Sequence, residues 1–271
     1  ATAGPGLIVC LSVGLNFAKA LSLSLKKPFI AINHLEGHAL SPKLNFNIKY
    51  PYLLFLISGG HTQYLTVKKL GDYKRLGTTI DDALGEAFDK TAKLLNLGYP
   101  GGPIIEELAK KGNENKFILP RPILNRGGSN LSFAGLKTAI LRLREFIKTE
   151  KDKNDLAASF QKTVLDILYK KTKKAIEQHL ELYPKNRTLV VAGGVAANKQ
   201  IRNTLKKLCK EENFNLYFPD LKLCTDNAAM IAIAGLERFK KKKFDKHSFE
   251  ANPRWQLDNK AKFLKGAGVK I

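Results

Sequence analysis

Two histidines four residues apart, and an aspartate far along the chain, are the residues whose types and spacing best predict chemistry. His34 and His38 have the separation that places two side chains on one face of an α-helix. Asp226 stands at the head of an apolar run with helical spacing. Two imidazoles and one carboxylate can bind a divalent metal and leave coordination positions open for a substrate. For one of the two histidines, a hydrogen-bonded place in the core is the alternative.

Two glycine turns follow predicted buried strands and suit the binding of a phosphate. Ser58-Gly59-Gly60 comes directly after the apolar segment 52–57, and Gly193-Gly194 comes after the apolar segment 188–192. Glycine lets an anion approach backbone N–H groups, and the helix expected after the second turn, near Asn198, would add its N-terminal dipole. Neither turn matches a Walker loop or a dinucleotide fingerprint, and a plain tight turn also explains each one taken singly.

A third group of polar residues lies on a predicted helix between the two turns. Glu86, Asp89 and Lys90 fall within about one helical turn of each other. The Asp89 carboxylate could hold ribose hydroxyls or a substrate amine. A surface cluster of salt bridges is the alternative interpretation.

Alternating helices and strands must position these residues. Apolar periodicity predicts helices over 7–25, 81–95 and 154–180 and another from Ile104. Buried strands are predicted over 29–32, 52–57 and 188–192, and segment 62–67 is predicted to pair back on 52–57 as a hairpin. Residues 112–133 are predicted to be irregular. Strands that alternate with helices indicate an α/β fold.

Composition limits the classes of partner and compartment. Lys and Arg number 46 against 24 Asp and Glu, which gives a formal charge of +22. This charge favours a nucleic-acid partner, although Lys-rich solvated faces explain part of it. Cys10, Cys209 and Cys224 lack metal-knuckle spacing and indicate a reducing compartment. No apolar run is long enough to span a bilayer, and the first residues lack a basic start, so we expect a soluble intracellular protein.

Ordered motifs along nearly the whole chain resemble the TsaD family, the tRNA adenosine threonylcarbamoyltransferases. The similar segments are 2–7, 33–40, 56–63, 80–83, 85–90, 99–103, 132–138, 191–198, 225–230 and 253–255. His61 in the first glycine turn resembles the bacterial and organellar branch of the family.

The resemblance implies an α/β, actin-like and sugar-kinase-like (ASKHA) fold with two lobes and the active site in the cleft. Residues 1–50 would be the remainder of the first lobe and carry the histidine pair. Residues 51–223 would form the second lobe, which binds the nucleotide. Residues 224–271 would return to the cleft and first lobe and end in a basic tail. Relatives begin with an additional strand-turn-strand segment, so the first lobe is expected to be truncated at its N-terminus, with exposed strand edges and an incomplete cleft.

The resemblance also implies a reaction and the residues that serve it. A threonylcarbamoyl group would move from threonylcarbamoyl-adenylate to the N6 amine of the adenosine beside the anticodon, in tRNAs that read codons beginning with A. His34, His38 and Asp226 would bind one metal ion, iron or zinc, which would act as a Lewis acid. The residues that would bind the substrate are Leu56, Ile57, Ser58, Gly59, Gly60, Asp89, Gly102, Glu106 and Asn198.

The implied partners are tRNA, a paralogous dimerisation partner and a small ATPase, with no membrane. The basic surface would dock the anticodon arm through phosphate contacts. The implied compartment is the bacterial cytoplasm or an organelle matrix.

Three rival functions are weighed against this one. A zinc protease needs Glu directly after the first His, but Leu35 occupies that place and Glu36 comes one residue late. A sugar or acyl-phosphate kinase holds its metal through carboxylates and phosphates, and a histidine pair is foreign to it. A catalytically inactive scaffold that binds tRNA or partner proteins is the remaining alternative, and the intact set of His34, His38 and Asp226 argues against it.

Overall fold

The computed structural model describes residues 1–261. Its N-terminal part is a small two-stranded sheet with two helices, one between the strands in sequence and one after them. Strand β1 (Thr2–Gly4) pairs in parallel with strand β2 (Ile32–Asn33), and helix α1 (Ile8–Ser24) connects them. Helix α2 (His34–Leu40) begins directly after β2. The histidine pair is therefore placed on a helix that leaves the carboxyl end of a strand.

A five-stranded mixed sheet forms the centre of the molecule. Its strands are β3 (Tyr52–Ile57), β4 (Thr62–Lys69), β5 (Asp72–Thr78), β6 (Thr188–Ala192) and β7 (Asn215–Tyr217). They are arranged in the order β5-β4-β3-β6-β7. Strands β3, β6 and β7 are parallel, whereas β4 and β5 run antiparallel to their neighbours. The carboxyl ends of β3 and β6 consequently lie side by side.

Helices cover both faces of this sheet. On one face lie α3 (Leu84–Leu94), α4 (Gly101–Ala109), α5 (Ala134–Leu143), α6 (Glu150–Leu182) and α7 (Lys199–Glu211), and α2 packs on the other. Helix α8 (Ala228–Lys240) packs against α2. Leu53, Phe55 and Ile57 of β3 pack into the larger apolar cluster, which includes residues of α3, α5, α6 and α7. The alternating residues of β3 pack into a second cluster with Leu35 and Ala39 of α2. Burial of both faces explains why β3 is apolar throughout.

The C-terminal part of the described chain returns to the N-terminal sheet. Helix α8 packs against α2, and the backbone N–H of Asp245 donates to Phe29 O at 2.9 Å. Further along, the N–H of Asn252 donates to Ala3 O at 2.7 Å. This return brings the segment that contains Asp226 to the helix that carries the histidines. Residues 262–271, which complete the predicted basic tail, lie outside the described residues.

The predicted strands 52–57 and 188–192 are confirmed to the residue, and the predicted helices and hairpin are present with shifted ends. Helix α4 begins at Gly101 rather than Ile104, and the predicted strand 29–32 is reduced to β2 and a single bridge at Phe29. Helix α3 begins at Leu84, because Asp81 does not cap it: the Asp81 carboxylate accepts hydrogen bonds from Ser132 and from the N–H groups that begin α5. Among residues 1–261, no helix combines the length and apolar character needed to cross a membrane.

Candidate metal and substrate site

His34, His38 and Asp226 converge at one point where the ends of α2 and α8 meet. One ligand atom from each residue lies within 4.8 Å of the others. Asp226 Oδ1 lies 3.0 Å from His38 Nε2 and 3.4 Å from His34 Nε2. The two imidazole rings are nearly perpendicular, with centroids 4.9 Å apart. The spacing of the sequence alone could pair the histidines, but tertiary packing supplies the carboxylate 188 residues away.

Local capping explains how each element presents its ligands. The Asn33 side chain accepts hydrogen bonds from Leu35 N and Glu36 N and so fixes the start of α2. The Asn227 side chain accepts from Met230 N and fixes the start of α8, directly after Asp226. Both helices therefore begin at a defined residue next to the cluster.

The donor set fits a divalent cation. Side-chain hydrogen bonds from His34 and His38 hold the pKa of Asp226 well below its usual range, so its carboxylate is anionic. The Asp226 side chain is 75% exposed, which leaves open space beside the three ligand atoms. Two nitrogen donors and one carboxylate with open positions suit iron or zinc better than magnesium or calcium, which prefer oxygen ligands.

A third imidazole, His61, lies beside this cluster and was not assigned a role from the sequence. Burial, together with the neighbouring imidazoles His34 and His38, lowers the pKa of His61 to about 4. His61 is therefore neutral at neutral pH. Its backbone N–H donates to Ser58 Oγ at 3.1 Å, which fixes the first glycine turn. Its place in that turn was the only sequence signal for it.

A cavity of about 530 Å³ opens next to the cluster at the carboxyl ends of β3 and β6. Its volume falls in the range of about 300–1,000 Å³ that is typical of small-molecule sites. Predicted substrate residues that line it are Ser58, Gly59, Asp89, Gly102, Glu106 and Asn198, and Asp226 lines it as well. Asp226 therefore belongs to the metal cluster and to the wall of the cavity at the same time.

Three of these polar side chains also hold the walls of the cavity in place. Asp89 Oδ1 accepts from Gly101 N at 2.8 Å and fixes the start of α4. Glu106 Oε1 accepts from Lys199 N at 2.7 Å. Asn198 Oδ1 accepts from Ile201 N at 2.9 Å, so two of the first N–H groups of α7 already have partners within the protein. A phosphate is thus better served by the glycine turns than by the N-terminus of α7.

The remaining predicted substrate residues lie around the cavity without lining it. The side chains of Leu56 and Ile57 are fully buried within β3, in the two opposite apolar clusters. They can offer only backbone groups to a ligand. Gly60 is exposed in the turn, and an added Cβ there would meet nothing within 4 Å.

Several lining residues were not singled out as substrate contacts from the sequence. They are Gly85, Phe88, Tyr99, Pro100, Pro103, Val195, Ala197 and Thr225, and Gly194 of the second glycine turn lines the cavity as well. Most are apolar or glycine and carry no chemical signature of their own. Proximity in sequence to Asp89, Gly102, Asn198 and Asp226 is the signal that could have found them.

Comparison with known proteins gives a family and close relatives. The family model described as TsaD, tRNA N6-adenosine threonylcarbamoyltransferase, matches residues 1–233. A curated protein of that name from Pelagibacter ubique (strain HTCC1062) is 66% identical over 100% of this chain and 76% of its own length. The protein of the same name from Rickettsia rickettsii (strain Sheila Smith) is 53% identical over 96% of this chain and 76% of its own length.

Solved structures with the same architecture are much more distant in sequence. HypF from T. kodakarensis is 17% identical, with a TM-score of 0.64 over 89% of this chain and 40% of that one. Full-length HypF in a phosphate- and nucleotide-bound form is 14% identical, with a TM-score of 0.61 over 83% of this chain and 38% of that one. At these identities the likeness concerns the fold alone, and it confirms the predicted α/β, actin-like class.

Proposed function

Because the chain belongs to the TsaD family, the tRNA N6-adenosine threonylcarbamoyltransferases, we propose that its cavity binds threonylcarbamoyl-adenylate as the donor. The enzyme is a transferase that modifies adenosine in tRNA. The acceptor that we propose is the N6 amine of the adenosine next to the anticodon, in tRNAs that read codons beginning with A.

One observation carries the proposal: Asp226 is shared by the cavity and by the histidine cluster. A donor in the cavity therefore lies against the ligands of the metal. Gly59 and Gly60 would offer backbone N–H groups to its phosphate, whereas the N–H of Ser58 donates to His61 O at 2.8 Å and leaves only its hydroxyl for the ligand. Leu56 and Ile57 would contribute backbone only. Asp89, Gly102, Glu106 and Asn198 would surround its nucleoside.

We propose that His34, His38 and Asp226 hold one divalent metal ion, iron or zinc. When bound, the metal would supply Lewis-acid polarisation of the donor. The anionic Asp226 attracts the cation, and the two histidines fix its place on α2. The neutral His61 adds no positive charge to the same small space.

Direct attack by the tRNA amine on the carbamoyl carbon is the simplest reaction course, with AMP as the leaving group. It needs no covalent intermediate with the protein. Cys224, the cysteine next to Thr225 and Asp226 in the sequence, is fully buried, and burial raises the pKa of its thiol. A thiol in that state is a poor nucleophile.

The structure offers little support for proteolysis by the same histidines. Glu36, the one carboxylate between them in sequence, is fully buried and accepts hydrogen bonds from Arg238 and Tyr73. A carboxylate so placed does not face the cluster and is not available to activate a water molecule there.

The high positive charge of the chain fits a tRNA partner. We propose that Lys and Arg side chains contact phosphates of the anticodon arm, which predicts binding that weakens with salt. We also propose a paralogous dimerisation partner and a small ATPase, and action in the bacterial cytoplasm or an organelle matrix. The division into 1–50, 51–223 and 224–271 is proposed as the two lobes and the returning C-terminal segment.

The test is threonylcarbamoyl transfer to an unmodified substrate tRNA, with the adenylate donor and the two partner proteins supplied. The full chain is compared with the double variant His34→Ala/His38→Ala and with His247→Ala. His247 is an exposed imidazole far along the chain that bonds to Ser22, so its variant controls for the loss of a histidine.

Transfer by the parent and by His247→Ala, with loss of at least about 1,000-fold in the double variant, is the expected result. Equal transfer by all three proteins would overturn the metal role of the histidines. No transfer by the parent, while it still binds tRNA, would favour the inactive scaffold.

A further inference from the structure

Glu36 is a buried carboxylate on the helix that carries the metal-binding histidines. It lies two residues after His34 and two before His38, so it projects about 200° around α2 from each of them. Its side chain is 1% exposed, whereas that of Asp226 is 75% exposed. Glu36 therefore faces the interior behind the metal cluster.

Both oxygens of this carboxylate are bound by residues of other elements. Arg238 Nε of α8 donates to Oε2 at 2.6 Å, and the Tyr73 hydroxyl of β5 donates to Oε1 at 2.7 Å. Burial and the charge of Glu36 keep the Tyr73 pKa well above its ordinary value, so the hydroxyl stays a donor. The three side chains form a clamp, which we define as the Glu36–Arg238–Tyr73 clamp, and it joins α2 to α8 and to the central sheet.

A second contact fixes the same two helices closer to the metal cluster. A Cβ added to Gly37 would lie 2.8 Å from Ile231 Cδ1 and 3.4 Å from Met230 O, so α2 and α8 approach each other there as closely as glycine allows. Arg238 lies about two turns further along α8. Two contacts at separated points determine how the helices cross, and therefore where Asp226 stands relative to the histidines.

The orientation of His38 depends on this crossing more than is usual for a metal ligand. A ligating histidine ordinarily donates its second ring nitrogen to a carboxylate, a carbonyl or water, which holds the ring. In residues 1–261, the buried Nδ1 of His38 has no hydrogen-bond partner. The ring is therefore held by packing and by Asp226 Oδ1, 3.0 Å from its Nε2, and both depend on how α2 lies against α8. The clamp secures α2 from the opposite face.

We propose that Glu36, held by Arg238 and Tyr73, is a positioning residue for the metal site. The clamp sets the distance between the histidines of α2 and the carboxylate that precedes α8, without touching the metal or the substrate. This inference rests on the metal site in the proposed function.

The main test is Arg238→Lys, which keeps the charge next to Glu36 but replaces the planar fork with a single ammonium group. Zn²⁺ affinity is measured on the full chain by competition with a chelator, and the absorption spectrum of bound Co²⁺ reports the ligand geometry. We expect a loss of Zn²⁺ affinity of about tenfold and a changed Co²⁺ spectrum.

Arg121→Lys is the matched control. Arg121 Nε and Nη2 donate to Asp166 Oδ2 at 3.0 and 2.5 Å, in a pair between α6 and the segment before α5. The same substitution there replaces a guanidinium that donates twice to a carboxylate, against once for Arg238, at a place outside the metal site. We expect Zn²⁺ affinity and the Co²⁺ spectrum to stay at the parental values, whatever happens to stability.

Two further variants distinguish the effect of ligand position on Zn²⁺ binding from the effect of the buried charge, and the free energy of unfolding of each variant shows whether it is folded. Glu36→Gln removes the buried charge and should weaken Zn²⁺ binding more than Arg238→Lys. Tyr73→Phe removes one hydroxyl without a change of charge, and should weaken it about threefold. Parental Zn²⁺ affinity and an unchanged Co²⁺ spectrum in the folded variants, with only a lower free energy of unfolding, would overturn the positioning role.

The failure of this inference differs from the failure of the metal site itself. If the parent binds one Zn²⁺ and loses it in His34→Ala/His38→Ala, the metal site stands and the clamp variants decide the inference. If that double variant binds Zn²⁺ as the parent does, the proposed metal site is wrong, and the inference falls with it.

Discussion

The metal cluster and the adjoining cavity share Asp226 but are built from different parts of the chain. The cluster presents side chains, from His34, His38 and Asp226, at the ends of two helices. The cavity presents to a large extent the backbone of turns that follow β3 and β6 and precede α4 and α7. In the cluster the side chains provide the ligand atoms, whereas in the cavity the glycines allow the backbone conformation of the turns.

This difference predicts different responses to substitution. The Asp226 side chain is 75% exposed, so its loss should change ion binding more than folding. The glycines that line the cavity, together with Gly193 next to Gly194, divide into two kinds. A Cβ on Gly193 or Gly85 would collide with neighbouring backbone, whereas one on Gly102 or Gly194 would meet nothing within 4 Å. Only the second kind can be replaced without a structural penalty.

The largest effect is expected for Gly193→Ala, which tests whether backbone shape holds the cavity together. Gly193 has φ +101°, and a Cβ there would lie 2.3 Å from Ile57 O. Strain and the collision should lower the free energy of unfolding by about 4 kcal/mol or more, measured by urea denaturation. Gly194→Ala is the neighbouring control and should leave stability within about 0.5 kcal/mol. Parental stability of Gly193→Ala would contradict the conclusion that glycine at this position is required by the backbone shape of the turn.

The sequence predicts the two regions to different extents. The strands that end at the glycine turns are apolar on both faces, and their boundaries were predicted correctly from that pattern alone. The irregular bonding of Asp81 could not be predicted, because its partners, Ser132 and the start of α5, lie 51 residues or more away. Helix α5 and strands β5 and β7 were missed, since β5 carries a bulge against β4 and β7 is only three residues long.

For the site, spacing could pair His34 with His38, but it could not bring Asp226 to them. That step depends on α8 packing across α2, which the Glu36–Arg238 pair and the close approach at Gly37 make possible. Asp226 was assigned to the metal site from the resemblance to the TsaD family, and the structure places its carboxylate beside the two imidazoles. The sequence analysis gave His61 no role in the site, although its glycine-turn motif is visible. Its closeness to His34 and His38 arises only in the folded chain.

The next largest effect is expected for Asp226→Asn, which tests the side-chain region. Removal of an outer hydrogen-bond partner of a metal ligand costs about 10–100-fold in affinity, so loss of a ligand charge should weaken Zn²⁺ binding at least about 100-fold. The free energy of unfolding of the metal-free protein should fall by only about 1 kcal/mol, because solvent screens the exposed carboxylate and the amide oxygen of Asn can still accept from His38. Parallel Zn²⁺ titration and urea denaturation measure both. A large loss of stability with unchanged affinity would reverse the distinction between the regions.

His61 lies in the first glycine turn and next to His34 and His38, and the pH dependence of stability tests this environment. Its pKa is about 4 in the folded protein, against about 6.5 when unfolded. The unfolded state therefore takes up a proton first as the pH falls, and stability contributed by neutral His61 is lost between pH 6.5 and pH 4. From pH 7 to pH 5 this should lower the free energy of unfolding of the metal-free protein by about 2 kcal/mol. In His61→Gln, the fall over the same interval should be smaller by about that amount.

The smallest effect is expected for Gly102→Ala, and it tests whether the open glycines serve the ligand rather than the fold. Gly102 lines the cavity, and an added Cβ would meet no protein atom within 4 Å, so the methyl group would occupy space meant for the donor. We expect unchanged stability and a dissociation constant about tenfold higher for a non-hydrolysable analogue of threonylcarbamoyl-adenylate, which corresponds to about 1.4 kcal/mol.

Gly14→Ala is the matched control, because Gly14 lies in α1 outside the cavity, and a Cβ added there also meets nothing within 4 Å. That variant should gain up to about 1 kcal/mol of stability from helix propensity and bind the analogue as the parent does. Equal binding by Gly102→Ala and Gly14→Ala would mean that Gly102 is kept for the backbone of α4 and not for the substrate.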